Sequence, residues 1–119
     1  SGDQIAKVST TASVTDTLAT MSMARTGSAI ITDDDGTTLR GVFTHGDFAR
    51  NFQLDNNIGQ RFVVDFMHTA PITILQDALA AEAVKTFEQM RVDDLIVVDI
   101  QNKVVGLVDS QDLARLKIV

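Results

Sequence analysis

The sequence predicts an α+β domain made of two β-α-β-β-α repeats that stack with pseudo-two-fold symmetry. An internal repeat supports this class, because "TDDDGTTLRGVFTHGDFAR" and "VDIQNKVVGLVDSQDLAR" align with Gly41 over Gly106 and Asp47 over Asp112. Each copy also carries one segment with helical apolar spacing and two short apolar strands. One such unit cannot cover both faces of its sheet, so we expect the two copies to form one cooperative domain.

Each copy opens with a short β-prone stretch followed by a helix. Apolar residues recur there at spacings of three and four, which places them on one helix face. They are Val14, Leu18, Met21 and Ala24 in the first copy, and Ala80, Val84, Phe87 and Met90 in the second. The two sets correspond one to one, so the repeat includes the helix.

Two strands joined by a turn come next in each copy. The runs "AIIT" and "LIVV" predict the first strand, and the second is predicted over 39–43 and 104–108. Asp35-Gly36 is a strong hairpin signal, and residues 101–103 form a weaker one. The glycine inside each second strand, Gly41 or Gly106, often marks a bulge or the close approach of another backbone or a ligand.

Each copy closes with a short helix, predicted over 47–52 and 111–116. The domain boundaries that follow are a tag scar or linker at 1–7, repeat 1 at 8–56, an inter-repeat linker at 57–71 and repeat 2 at 72–119. Pro71 supports the last boundary, because it pushes the residue before it towards extended geometry. The Ser1-Gly2 opening indicates a tag-cleavage scar on a fragment of a longer protein.

Composition narrows the class of function. Apolar residues make up 45% of the 119 residues, and the net charge is −6. This charge argues against binding to nucleic acid or to anionic membrane lipid, both of which need excess Lys and Arg. There is no cysteine, hence no thiolate metal site and no Cys nucleophile. We expect a cytoplasmic protein that neither spans nor binds a membrane.

The motif Thr44-x-x-Asp47 allows two interpretations. Thr followed three residues later by an acid at a helix start is typical of a capping box. The same helix start, with its free N–H groups, is also a place where a phosphate binds readily. The two interpretations are compatible, so both stay open.

Two β-α-β-β-α copies that end in G-h-x-T/S-x-x-D resemble a tandem pair of CBS domains, a Bateman module. The stretches "GVFTHGDFAR", "FVVDFMHTAPITI", "DALAAEAVKTFEQM" and "DLARLKIV" are similar to the C-terminal half of bacterial arabinose 5-phosphate isomerases. In that family a sugar isomerase domain precedes the CBS pair. The resemblance therefore implies a regulatory module that is not itself an enzyme, attached to a catalytic domain outside this sequence.

The resemblance also implies a ligand. CBS pairs commonly bind nucleotides in the cleft between repeats. By this resemblance Thr44 would face the phosphate, and the carboxylate of Asp47 would accept hydrogen bonds from the ribose hydroxyls. The implied ligand is an adenine or cytidine nucleotide or a nucleotide-sugar, with no cofactor. The predicted contacts from the second repeat are Ile72, Thr73, Leu95, Ile96 and Asp112.

The second copy departs from the motif, because Asp109 stands where the first has Thr44. Asp caps a helix as well as Thr does, but a carboxylate repels an anion. We therefore expect an asymmetric module, with the Thr44/Asp47 site competent for a phosphorylated ligand. The Asp112 site would stay empty or hold a neutral group.

Other polar residues have weaker functional interpretations. His45 and His68 either border the ligand cleft or are simply exposed, and a catalytic triad is not expected from neighbours on one turn. Arg50 is spaced for an i,i+3 ion pair with Asp47. The acidic run 33–35 lacks the spacing of a calcium loop and favours a solvated hairpin.

Apolar residues on the closing helices predict a homodimer through these terminal helices. They are Phe48, Phe52, Leu113 and Leu116. Two alternatives to ligand sensing stay open: a pair that serves only for oligomerisation, and the CBS pair of another enzyme or of a transporter.

Overall fold

The computed structural model describes residues 5–77, 80–90 and 94–109. The chain contains both helices and strands in two compact units, one ending at Pro71 and the other starting at Ile72. The predicted α+β class is therefore confirmed, and each unit contains one copy of the sequence repeat.

The first unit contains a three-stranded sheet and two helices. Its elements are β1 (Lys7–Ser9), α1 (Val14–Ala24), β2 (Ser28–Thr32), β3 (Leu39–Thr44) and α2 (His45–Phe52). The strand order is β1-β2-β3, with β1 parallel to β2 and β3 antiparallel to it. The predicted β-α-β-β-α order is confirmed, and β3 passes directly into α2 without a loop.

Helix α1 begins and ends at residues with recognisable caps. The Ser13 hydroxyl accepts a hydrogen bond from the N–H of Asp16 at 3.0 Å, which satisfies one of the free donors of the first turn. Arg25 adopts a left-handed conformation at φ 55° and closes the last turn. Val14 and Met21, from the predicted apolar face, are fully buried.

The core of the first unit includes residues from the segment predicted as a linker. Phe43 and Ile31 are fully buried, and so are Ile58 and Val63. The latter two lie in single 3₁₀ turns, Ile58–Gln60 and Val63–Asp65. Ile58 and Val63, both from the predicted inter-repeat linker, thus belong to the core of the first unit.

The second unit repeats the same sheet. Its described elements are β4 (Thr73–Leu75), α3 (Ala80–Met90), β5 (Asp94–Val98) and β6 (Val104–Asp109). The order is β4-β5-β6, again with one parallel and one antiparallel pair. Leu95 is fully buried, with Ile72 and Val108 among the residues packed against it. The helix predicted over 111–116 lies outside the described residues.

The two turns show the repeat at the level of the backbone. Gly36 has φ 75° and Asn102 has φ 64°, and Asn is among the residues that tolerate this region. The turns are closed by hydrogen bonds from the Asp33 N–H to the Thr38 carbonyl and from the Asp99 N–H to the Lys103 carbonyl. The first turn is longer by one residue, as the alignment predicts.

None of the helices in the described ranges is both long enough and apolar enough to cross a membrane.

Candidate functional site

The candidate site is the junction of β3 and α2, where Thr44 caps the helix. The Thr44 hydroxyl oxygen accepts from the N–H of Asp47 at 3.1 Å, and Oδ2 of Asp47 accepts from the N–H of Thr44 at 2.9 Å. These reciprocal bonds are a capping box. The structural interpretation of the motif is thus confirmed.

The carboxylate of Asp47 is buried, and side-chain or backbone nitrogen and oxygen atoms of the chain lie against both of its oxygens. Oδ2 accepts a further bond from the Thr44 hydroxyl at 3.0 Å. Oδ1 accepts from Arg50 Nη2 at 2.6 Å and lies 2.9 Å from His68 Nε2. A carboxylate offers about four acceptor positions; Thr44 and Arg50 donate to three of them, and the His68 imidazole lies against the remaining one. The predicted Asp47–Arg50 ion pair is confirmed.

His68 reaches this site because its backbone joins the free edge of β3. Its N–H donates to the Val42 carbonyl at 2.8 Å, and its own carbonyl accepts from the Val42 N–H at 3.0 Å. A Cβ atom on Gly41 would lie 2.3 Å from the His68 carbonyl oxygen. The prediction that a strand glycine marks the close approach of another backbone is confirmed at Gly41.

No motif pointed to the contact between His68 and Asp47. The two residues belong to different segments, and a lone histidine in a linker has no characteristic spacing to an acid. The sequence predicted this contact only indirectly. Gly41 indicated that another backbone or a ligand lies against β3, but not which residue does so. The contact depends on the path of residues 57–71, which local sequence patterns do not specify.

The hydroxyl of Thr44 is engaged within the cap. It donates to the Asp47 carboxylate and accepts from the Asp47 N–H. Because a hydroxyl has one proton to donate, it would have to turn away from Asp47 to donate to a phosphate. The role of Thr44 towards phosphate stays a prediction. His45 is exposed, and its N–H donates to the Gly27 carbonyl at 3.1 Å.

The predicted site residues of the second copy lie in its own sheet. Thr73 pairs with Ile96 between the parallel strands β4 and β5. Ile72 packs against Leu95, whose side chain is fully buried, and Ile96 is buried as well. Asp112 lies outside the described residues. The structure thus brings Thr44, His45 and Asp47 together in one unit, and the other four in the second.

The acidic turn of the first unit is held by its own side chains. Oδ1 of Asp35 accepts from the N–H groups of Thr37 and Thr38 at 2.9 and 2.8 Å. Asp33 forms an ion pair with Arg40 at 2.7 Å. The hairpin predicted here is confirmed. In the described ranges no group of three or more His, Cys, Asp or Glu residues is placed to hold a metal ion.

Comparison with known proteins gives one family and a consistent fold. The family model described as "CBS domain" matches residues 3–53 and 63–118. The arabinose 5-phosphate isomerase KdsD of Escherichia coli (strain K12) is 30% identical over 118 residues, which is 99% of this chain and 35% of that protein. The chain thus spans about a third of the length of that relative.

Solved structures agree with this fold. The structure of "CBSX2 in complex with AMP" is 21% identical, with a TM-score of 0.81 over 98% of this chain and 89% of that one. The cytosolic domain of the Mg²⁺ channel MgtE in complex with ATP is 19% identical, with a TM-score of 0.79 over 95% of this chain and 45% of that one. At these identities the likeness shows the fold alone.

Proposed function

The chain belongs to the CBS domain family, and we propose that it is the ligand-sensing regulatory part of a longer cytoplasmic protein. Its ligand is a nucleotide or nucleotide-sugar, and its binding modulates an attached sugar-phosphate isomerase domain. A ligand does this only if it binds one arrangement of the module more tightly than another. These residues themselves would carry no catalytic site.

Two comparisons support this proposal. The relatives with similar sequences include arabinose 5-phosphate isomerases, of which this chain matches about a third. CBS structures of the same fold are described as complexes with AMP and with ATP. The first observation supports the attached isomerase, and the second supports a nucleotide as the ligand class.

The observation that carries the proposal is the buried carboxylate of Asp47. Its Oδ2 is held by Thr44 within the cap, whereas Oδ1 accepts from Arg50 and lies 2.9 Å from Nε2 of His68, and both of these side chains are exposed. The side chains of Arg50 and His68 are 66% and 59% exposed. The exposed imidazole of His68 can rotate into water while Arg50 still pairs with the buried charge, so a ligand's hydroxyl group can take over one position on Oδ1 of a preformed acceptor.

The carboxylate of Asp47 favours the sugar end of a nucleotide over its phosphate end. A carboxylate accepts hydrogen bonds from sugar hydroxyls and repels phosphate. We therefore place the ligand's sugar on Asp47 and its phosphate on the side of Thr44, near the exposed His45. In the second repeat the proposed contacts are Ile72, Thr73, Leu95, Ile96 and Asp112. Asp109, in the place of Thr44, would make the Asp112 site unsuited to an anion.

A thermal-shift series tests ligand binding. We expect one of AMP, ATP or CMP to raise the unfolding temperature, because a ligand at 100 times its Kd adds about 2.7 kcal/mol to the free energy of unfolding. Asp47→Asn should abolish the shift, because it removes the charge of the acceptor. Asp16→Asn, at the same position of α1, is the matched control and should keep the shift. No shift with any of the three nucleotides would contradict the sensing function.

A second function, as an oligomerisation element, is favoured by apolar residues at the end of α2. The rings of Phe48 and Phe52 lie 5.3 Å apart, and Phe52 and Leu54 are 43% and 87% exposed. We propose that this surface contributes to a homodimer. Contiguous exposed apolar residues often mark an interface, and this function does not depend on any ligand.

The homodimer is tested by light scattering over a concentration series. We expect Leu54→Lys to shift the dimer towards monomer by at least about tenfold in dissociation constant, because it places a charge in an apolar contact. Met23→Lys is the matched control, since Met23 is 86% exposed on α1. The interface is elsewhere if both variants dimerise like the unmodified protein.

A further inference from the structure

We propose that His68 is a specificity-determining residue of the Asp47 site, because its imidazole competes with a ligand's hydroxyl for Oδ1 of Asp47. This inference rests on the proposed function and adds a residue to it. His68 lies in the segment between the repeats, and its Nε2 is 2.9 Å from Oδ1. A hydroxyl that binds Oδ1 must therefore displace an imidazole that already lies within hydrogen-bond distance of it.

The hydrogen bonds of Asp47 show why replacement is required. Oδ2 accepts from the N–H and the hydroxyl of Thr44, and these bonds belong to the helix cap. Oδ1 accepts from Arg50 and lies within hydrogen-bond distance of His68. The Asp47 side chain is only 4% exposed. A further donor thus has no open path to the carboxylate unless Arg50 or His68 moves away from Oδ1.

His68 is the donor that can leave at the lower cost. Arg50 lies three residues after Asp47 on the same helix and compensates the buried charge. Its loss would leave that charge poorly paired, which is costly in a buried place. An imidazole N–H, by contrast, can be exchanged for a hydroxyl with the same number of hydrogen bonds. Arg50 can then remain on Oδ1 throughout the exchange.

The backbone of His68 allows its side chain to move alone. Two backbone hydrogen bonds to Val42 hold the residue on the edge of β3, and neither involves the imidazole. The side chain is 59% exposed, and the imidazole can move away from Oδ1 into water by rotating about its own side-chain bonds. The exchange therefore requires no separation of the linker segment from the sheet.

The competition with His68 determines which chemical groups of a ligand can bind Asp47. A group that donates a hydrogen bond to Asp47 at least as well as the imidazole displaces it, and an anionic or purely apolar group does not. A sugar hydroxyl meets this requirement, because it donates one hydrogen bond to the single acceptor position that the imidazole vacates. The site thereby rejects phosphate-only and carboxylate ligands before any other contact is made.

Affinity measurements with AMP and CMP as probes test the competition. His68→Ala should tighten the binding of at least one of the two about three- to tenfold, the range expected for removing one competing hydrogen bond. His68→Gln retains a side-chain donor and should return the affinity towards that of the unmodified protein. His45→Ala, the other histidine of the chain, is the matched control and should not tighten binding.

The ring signals of the two histidines provide a second readout by NMR at constant pH. On adding the nucleotide, the His68 signal should move towards its position in Asp47→Asn, where the carboxylate partner is absent. Binding only to His68→Ala would also support the competition. Nucleotide binding with an unmoved His68 signal and no tightening in His68→Ala would overturn this inference and leave the proposed function standing. No binding to any variant would overturn both.

Discussion

Replacing Gly41 with alanine is expected to lower the free energy of unfolding by about 2–4 kcal/mol. The new Cβ would lie 2.3 Å from the His68 carbonyl oxygen and 2.7 Å from the sulfur of Met67. The methionine side chain can move, but the carbonyl can move only by breaking its hydrogen bond to Val42. Overpacking of this kind costs about 1–3 kcal/mol, and each lost hydrogen bond about 0.5–1.5 kcal/mol.

The second repeat supplies a matched control at the aligned glycine. Among the described residues nothing lies within 4 Å of a Cβ placed on Gly106. Gly106→Ala should therefore leave stability unchanged or raise it by about 0.4–1 kcal/mol, because alanine restricts the unfolded chain. Urea unfolding followed by circular dichroism measures both variants. Equal urea midpoints for the two variants would show that the packing of residues 57–71 against β3 does not require a glycine at position 41.

Replacing Asp47 with alanine is expected to cost about 2–4 kcal/mol of stability. The variant loses the carboxylate that accepts from the Thr44 hydroxyl, and a lost hydrogen bond costs about 0.5–1.5 kcal/mol. The Thr44 N–H is then left without its partner in a partly buried place, which adds about 1–3 kcal/mol. The lost contacts with Arg50 and His68 add little to this cost, because these exposed side chains can turn towards water in the variant.

Asp16→Ala tests whether this cost belongs to the site or to any acid in a first helical turn. Asp16 occupies the same position of α1, three residues after its cap Ser13, and its side chain is exposed. We expect Asp16→Ala to change the free energy of unfolding by no more than about 0.5 kcal/mol. Similar losses in both variants would mean that the buried carboxylate has no special role in stability.

The features that sequence patterns predicted well depend on local geometry. The capping box joins residues three apart, so Thr44 and Asp47 could be paired from their spacing alone. The helices α1 and α3 follow apolar periodicity, and the hairpin at Gly36 follows from its turn chemistry. In each case the deciding interaction lies within one turn of the backbone.

The features that were missed depend on contacts between distant segments. Ile58 and Val63 read as part of a linker, yet both are fully buried in the first unit. Their side chains follow no helix or strand period, because each lies in a single 3₁₀ turn. His68 was missed as a partner of Asp47 for the same reason, since its position depends on how this irregular segment returns to β3.

The pairing of His68 with Val42 also covers part of a sheet edge. β3 is at the edge of its sheet, and an uncovered edge offers unpaired N–H and C=O groups to strands of other molecules. The segment that carries His68 uses the N–H and carbonyl of Val42 at the middle of this edge. Gly41 lets that segment lie close enough to do so. Because Gly41 has no Cβ, the N–H and carbonyl of Val42 are paired within the chain and are not available to the strands of other molecules.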